Sequence, residues 1–374
     1  MIKILIAGDF CPMDRVAKLI EKEDYKSVFG EVLEYTQQAD YSIVNLEAPV
    51  VEADAKPIEK CGPNLKCTSK AVKAMKYAGF DMATLANNHF YDYGDDGVKQ
   101  TIDACLKEGI GIVGGGLNIS EASKIFYIDI KGVKVAFINC CEHEISIATE
   151  TSGGSNPLNP IQQYYAIKEA KRNAARVIVI VHGGHEHYQL PSPRMKETYR
   201  FFVDAGADAV INHHQHCYTG YEVYNGKPIF YGLGNFCFDR GEQTSKQWKE
   251  GYMVMLYISD SGINYDLIPY VQAHKAPGIK IIDDRKEFES DITSFNEIIA
   301  DDSKLKEKRQ KWMDKSYKYQ YLLLEPYQNR YLKALYVRGL LPSFIGKKKR
   351  LMILNYLKCE AHIERVIYSL KKHV

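Results

Sequence analysis

No stretch of the 374 residues holds the roughly 18 consecutive apolar side chains that a bilayer-crossing helix requires. The opening run, MIKILIAGDF, is too short for a signal peptide and reads as a first strand. The nine cysteines form no CxxC pair and no zinc-knuckle spacing. Their number is odd, and the chain lacks a compact disulfide framework, so free thiols in a reducing, cytoplasmic compartment are expected. No GxGxxG or GK[ST] frame surrounds Gly114-Gly115-Gly116, which leaves that triplet weak as a phosphate loop. Internal repeats and low-complexity segments are missing as well. Neither sign of charge dominates: the formal net charge is +2, with 26% charged and 45% hydrophobic residues. That composition is ordinary for a soluble globular protein, and the length suits one large domain or two.

The small net charge hides an uneven spread. Residues 301–374 carry eighteen Lys/Arg and seven Asp/Glu, a balance of +11 that leaves −9 on residues 1–300. Such a tail meets an acidic surface, a membrane or a polyanion, or is a solvated basic face of helices. It interleaves aromatics such as Trp312, Tyr317 and Tyr331, and Lys347-Lys348-Lys349-Arg350 precedes the short apolar run LMILNYL. A helical cap packed on the acidic body and an interfacial helix on anionic lipid both fit this pattern. No nucleic-acid motif is present, and no nucleic-acid partner is expected.

What the chain does have is imidazole at strand ends. Eight of its eleven histidines lie between His89 and His216. VIVIVHGGHEH, Val177–His187, reads as a buried strand of β-branched residues stopping at His182. A shorter apolar run leads into INHHQH, Ile211–His216. The strand Ile2–Ala7 ends at Gly8-Asp9, Tyr41–Leu46 at Glu47, and Met82–Ala86 at Asn87-Asn88-His89. In open α/β sheets, ligands bind beyond the carboxyl ends of the strands.

Between these ends the spacing predicts a helical stretch to about Tyr35 and a long surface excursion from Glu52 to Cys67. Helices are predicted over Ser69–Tyr77, Gly97–Lys107 and Ile161–Asn173, with a strand at Gly109–Val113. Hairpins turn at Lys131-Gly132 and Asn225-Gly226, and Thr149–Pro160 reads as a loop. Gly251–Ser259 and Gly262–Gln272 make a further β pair, and from about Ser290 the pattern is helical and basic. Alternating strands and helices followed by strand pairs predict an α/β sandwich with a mixed sheet. The boundary falls near 285–300, giving residues 1–285 and 286–374.

Carboxylate, amide oxygen and neutral imidazole are the donors that hard and borderline divalent metals take. Asp9, Glu47, Asn88, His182, His214 and His216 supply them. A carboxylate such as Glu47 can bridge two metals about 3.5–4 Å apart, and His89 can act as general acid or stabilise developing charge. Singly, each residue has a duller reading: a turn at Gly8-Asp9, a solvated Glu47, two turn asparagines. His185, Glu186 and His187 support ligands, face substrate or are merely exposed. His213 should point to the other side of an extended chain from the ligands.

The ordered set GDF (Gly8–Phe10), NLEAPV (Asn45–Val50), ANNHFYDYG (Ala86–Gly94), HGGHEH (His182–His187), NHHQH (Asn212–His216) and YGLGNF (Tyr231–Phe236) resembles the capsule-synthesis CapA family, the poly-gamma-glutamate biosynthesis proteins. The resemblance covers roughly residues 1–275. It implies a calcineurin-like metallophosphoesterase fold, a four-layer α/β/β/α sandwich, here with a C-terminal helical region. It also implies metal ligation by Asp9, Glu47, Asn88, His182, His214 and His216, with His89 as the catalytic histidine. Two divalent ions (Mn, Fe, Zn or Mg) are expected, with His185, Glu186 and Asn235 on the substrate side of the site.

The chain departs from the pattern at Cys11, where the phosphoesterases carry a histidine two residues after their first aspartate. It departs again at Gly183-Gly184 and around Asn212, and in having a strand where many members have an N-terminal anchor. The implied function is capsule or exopolymer biosynthesis through a phosphoesterase-like hydrolase site. The rival is a non-catalytic accessory protein that binds the polymer or its synthase. Expected partners are an exopolymer or phosphorylated precursor, a polymer synthase, and the membrane surface through the tail.

Overall fold

The computed structural model of the protein describes residues 1–52, 55–241 and 243–372. Residues 53–54 of the Glu52–Cys67 excursion, residue 242 and the last two residues of the basic tail lie outside it. Two units divide the chain, Met1–Lys306 and Glu307–Val374. The helix Lys286–Ala300 belongs to the first.

Two large sheets form the central layers of the first unit. In the eight-stranded sheet, Ile2–Phe10 pairs in parallel with Tyr41–Leu46, which continues to Met82–Thr84 and Gly111–Val113. On its other side Ile2–Phe10 meets Glu250–Ser259 antiparallel, followed by Gly262–Gln272 and Ile279–Ile281. The six-stranded sheet is built around Arg176–His182, which lies between the parallel strands Val133–Cys141 and Ala209–His213.

Period-two alternation decides which side chains meet. Ile4, Ile6, Ile43 and Met82 of the first sheet pack against Phe137, Ile178, Ile180 and Ile211 of the second. Leu5, Ala7, Val44 and Leu46 turn the other way, onto Val16, Ile20, Val72, Met75 and Val98. Those five residues lie on the helices Asp14–Glu21, Ser69–Tyr77 and Gly94–Lys107. The helices Pro160–Asn173 and Pro193–Ala205 cover the outer face of the second sheet. Each fully buried aliphatic contributes about 1.5–3 kcal/mol, and the result is a four-layer α/β/β/α sandwich.

Some boundaries differ from the sequence reading. The helical stretch to Tyr35 is three helices, Asp14–Glu21, Tyr25–Phe29 and Val32–Gln38. Glu23 (φ 59°) and Gly30 (φ 47°) take the left-handed region and interrupt the run. Part of the predicted Thr149–Pro160 loop is a short strand, Gly154–Ser155, paired with Gly115–Gly116. The two hairpins turn where expected, with positive φ at Lys131 and Gly132 and at Asn225 and Gly226, as a type I′ turn demands.

In the C-terminal unit the helices Arg330–Val337, Lys347–Lys358 and Glu360–Lys371 follow the end of Asp302–Tyr321. The Glu325 carboxylate accepts from Phe344 N–H at 2.9 Å and from the Tyr336 hydroxyl at 3.3 Å. Among the described residues no helix is long and apolar enough to cross a membrane.

Candidate metal centre

The parallel strands Ile2–Phe10, Tyr41–Leu46, Met82–Thr84, Arg176–His182 and Ala209–His213 bring their carboxyl ends together. At Gly8 the chain passes so near Gly234 that a Cβ would lie 2.0 Å from its carbonyl oxygen. Glycine therefore lets Asp9 N–H reach Gly234 O at 3.3 Å and lets Asn235–Cys237 pair beside Asp9. The pairing of Ile2–Phe10 with Tyr41–Leu46 slips between Ile6 and Asp9, an irregularity of the kind that re-aims a side chain at a strand end. Beyond Ala209–His213 the backbone is strained: His214 has φ 92° and His216 φ 54°. Each such residue costs about 1–3 kcal/mol. The hydrogen bonds of His214 N–H to Asp9 Oδ2 (3.3 Å) and of His216 Nδ1 with Asn235 Oδ1 (2.9 Å) offset part of that cost.

The six residues marked as ligands in the sequence meet here. His182 Nε2 lies 3.1 Å from Asn88 Oδ1, 3.1 Å from His214 Nδ1 and 3.6 Å from Glu47 Oε1. His216 Nε2 is 3.6 Å from the same Glu47 Oε1, and His216 Nδ1 is 3.7 Å from Asp9 Oδ2. Two sets of donor atoms lie within 4.8 Å of one another: Glu47, His182 and His214, and Asp9, Glu47 and His216. Glu47 is common to both. Its two carboxylate oxygens are buried and accept no hydrogen bond among the described residues. A buried carboxylate without donors is costly unless a cation faces it, so the residues present fit a divalent metal.

Burial, followed by the neighbouring Asp9 charge, pushes Glu47 well above the usual carboxylate range. Burial opposes charge on Asp9 too, but the facing imidazoles of His213, His182 and His216 outweigh it and hold Asp9 below its ordinary value. Burial lowers His216 to about 4. Burial, then the nearby His214, lowers His182 well below the ordinary imidazole value. Both rings are therefore neutral at pH 7, the form in which imidazole ligates metal. Cys11 is buried, and burial with the Glu47 charge raises its thiol well above the ordinary value. Neither donor set includes it.

His89 lies outside both donor sets. Its Nδ1 is 2.7 Å from Asp92 Oδ2, which fixes the proton on Nδ1, and Nε2 makes no hydrogen bond to described residues. Lys60, from the surface excursion, ion-pairs with Asp92 and lies 3.3 Å from His89 Nδ1. Neither Lys60 nor Asp92 was singled out in the sequence. The DYG stretch put Asp92 three residues after His89, one helical turn, and that spacing was the available signal. Lys60→Met keeps the aliphatic stem and removes the charge that shares Asp92. We expect unchanged metal content and a roughly tenfold slower turnover of a phosphoester, and an unchanged rate would make Lys60 a purely structural partner.

Asn235 orients His216 and donates to its carbonyl oxygen at 3.2 Å and to that of Trp248 at 3.0 Å. Glu186 is exposed and pairs at 3.8 Å with His187, and His185 also has contacts of its own. Neither Glu186 nor His185 belongs to the donor sets. His213 does not point away from the site: its Nδ1 lies 3.4 Å from Asp9 Oδ1. In register with His182, it faces the same side of the sheet, and the positive φ at His214 breaks the alternation that would separate the two neighbours.

The sequence model of the bacterial capsule synthesis protein PGA_cap family matches residues 3–240. The capsule biosynthesis protein CapA of Bacillus anthracis is 35% identical over 273 residues, 71% of this chain and 66% of its own length. The PGA biosynthesis protein CapA of Bacillus subtilis is 32% identical over 273 residues, 72% of this chain and 71% of its own length. Among solved structures, a phosphatase of Mycoplasma pneumoniae is similar at 15% identity and a TM-score of 0.45, over 73% of this chain and 95% of its own. The stretch matched by the family spans every strand end that supplies a donor to the centre, and the chain belongs to the bacterial capsule synthesis protein PGA_cap family.

Proposed function

We propose that the protein works in capsule or exopolymer biosynthesis, on a poly-gamma-glutamate or polysaccharide precursor, as a divalent-metal-dependent phosphoesterase-like hydrolase. The observation that carries this reading is Glu47, whose two unpartnered oxygens sit where the two donor sets join. Two ions bound there would supply the positive charge that acidifies a water and neutralises phosphoryl oxygens. Glu47 would be shared between them, with Asp9 and His216 available to one ion and His182, His214 and Asn88 to the other. Asp92 keeps the His89 proton on Nδ1 and stabilises the ring when Nε2 also takes one, so His89 can deliver a proton from Nε2 to a leaving oxygen. Metal analysis of the purified protein, followed by a phosphomonoester and phosphodiester screen, tests the reading. Metal without turnover across the screen favours the accessory role, in which the same fold binds the polymer or its synthase.

The C-terminal unit is proposed to touch the membrane surface from the cytoplasmic side. Leu351, Met352, Leu354 and Leu357 are exposed on the helix Lys347–Lys358, directly after four consecutive basic residues. Full-length protein should pellet with anionic vesicles at low salt, where screening is weakest, and far less with zwitterionic ones. Reversing the charge of Lys347, Lys348, Lys349 and Arg350 should abolish that pelleting; equal pelleting by the variant would count against the proposal.

A further inference from the structure

Beside the metal centre stands a cation with no carboxylate partner among the described residues. The Arg240 guanidinium lies 4.3 Å over the Trp248 ring and 5.1 Å over the Phe238 ring. Both rings touch His216, at centroid distances of 4.9 and 5.2 Å. The platform is rigid. Trp248 Nε1 donates to Phe238 O at 2.8 Å, and the Trp248 carbonyl accepts from Asn235, the residue that orients His216. Arg240 is exposed, whereas Phe238 and Trp248 beneath it are buried. The adjacent carboxylate, Asp239, is already taken by Arg15 through Nε and Nη2, each at 2.9 Å.

A guanidinium stacked on aromatic rings keeps its in-plane N–H groups directed outward, and that fork matches the oxygens of a phosphoryl or carboxylate group. Stacking holds the cation without using its donors. We propose that Arg240 binds an oxyanion of the substrate, phosphoryl or carboxylate, beside the metal centre. The proposal rests on the hydrolase reading and adds the recognition element for an anionic polymer or its precursor.

The test titrates inorganic phosphate and γ-linked triglutamate, separately, into wild-type protein, Arg240→Gln and Arg240→Lys. Each protein is measured metal-loaded and metal-stripped, with metal content determined first. The wild type should bind at least one probe, and the probe bound tells phosphoryl from carboxylate recognition. Arg240→Gln should weaken that binding roughly ten- to a hundredfold, the worth of hydrogen bonds to a charged group, with metal content unchanged. Arg240→Lys should fall between, since it keeps charge but loses the fork. Equal affinities for wild type and Arg240→Gln, or no binding of either probe, would overturn the proposal. The two metal states keep the readings apart. A wild type that holds no metal but whose affinity still falls on Arg240→Gln upholds the arginine and sinks the metal centre. A metal-loaded protein indifferent to the substitution does the reverse.

Discussion

Glu47→Gln should strip the protein of its metal while making the metal-free chain harder to unfold. The substitution keeps the shape of the side chain and removes the charge shared by both donor sets. Losing one partner of a buried charge pair costs about 3–5 kcal/mol, which is roughly a hundred- to several-thousandfold in metal affinity. Without metal the balance reverses. Burial and Asp9 raise the folded-state pKa of Glu47, so folding takes up protons. The stability this provides is complete below the unfolded glutamate value near 4.3 and is lost as pH rises through the folded value. Glutamine suffers no such loss. In thermal unfolding of metal-stripped protein, the advantage of Glu47→Gln over wild type should therefore grow from pH 5 to pH 8. A variant that retains full metal content would remove Glu47 from the centre.

His89→Asn should do the opposite: keep the metal and lose turnover. His89 belongs to neither donor set, and its ring is anchored through Nδ1 to Asp92 at 2.7 Å. Asparagine retains a donor for that carboxylate but has no Nε2 to carry a proton to the leaving oxygen. General acid catalysis of this kind is worth roughly 10²–10⁴ in rate, so turnover of an active phosphoester should fall by that factor with little change in KM. Matching metal loss in His89→Asn and Glu47→Gln would assign His89 to ligation rather than proton transfer.

The strand ends could be read from sequence because β-branched runs stop abruptly at chemistry: VIVIV at His182, AVI at Asn212 and the imidazoles after it, and IKILIA at Gly8-Asp9. A buried strand has few other reasons to end in imidazole and carboxylate. The part played by Asn235 came only through family resemblance; its hydrogen bonds to His216 and to the Trp248 carbonyl supply the physical reason. Lys60 was hidden because nothing local ties residue 60 to residue 92. The excursion has little regular structure, and its approach to His89 is a tertiary fact. His213 was assigned to the wrong side because alternation holds only while the chain stays extended, and it does not at His214. Arg240 escaped notice for a similar reason: its platform joins residues 238 and 248 across a loop.

Five strand ends converge on one candidate metal centre, with Glu47 common to both of its donor sets. Anomalous diffraction from crystals grown with manganese tests it most directly. Anomalous peaks are expected on both sides of the Glu47 carboxylate, one beside His182 and His214 and one beside Asp9 and His216. Manganese-loaded crystals with no peak within bonding distance of Glu47, or with the ion held elsewhere in the chain, would contradict it.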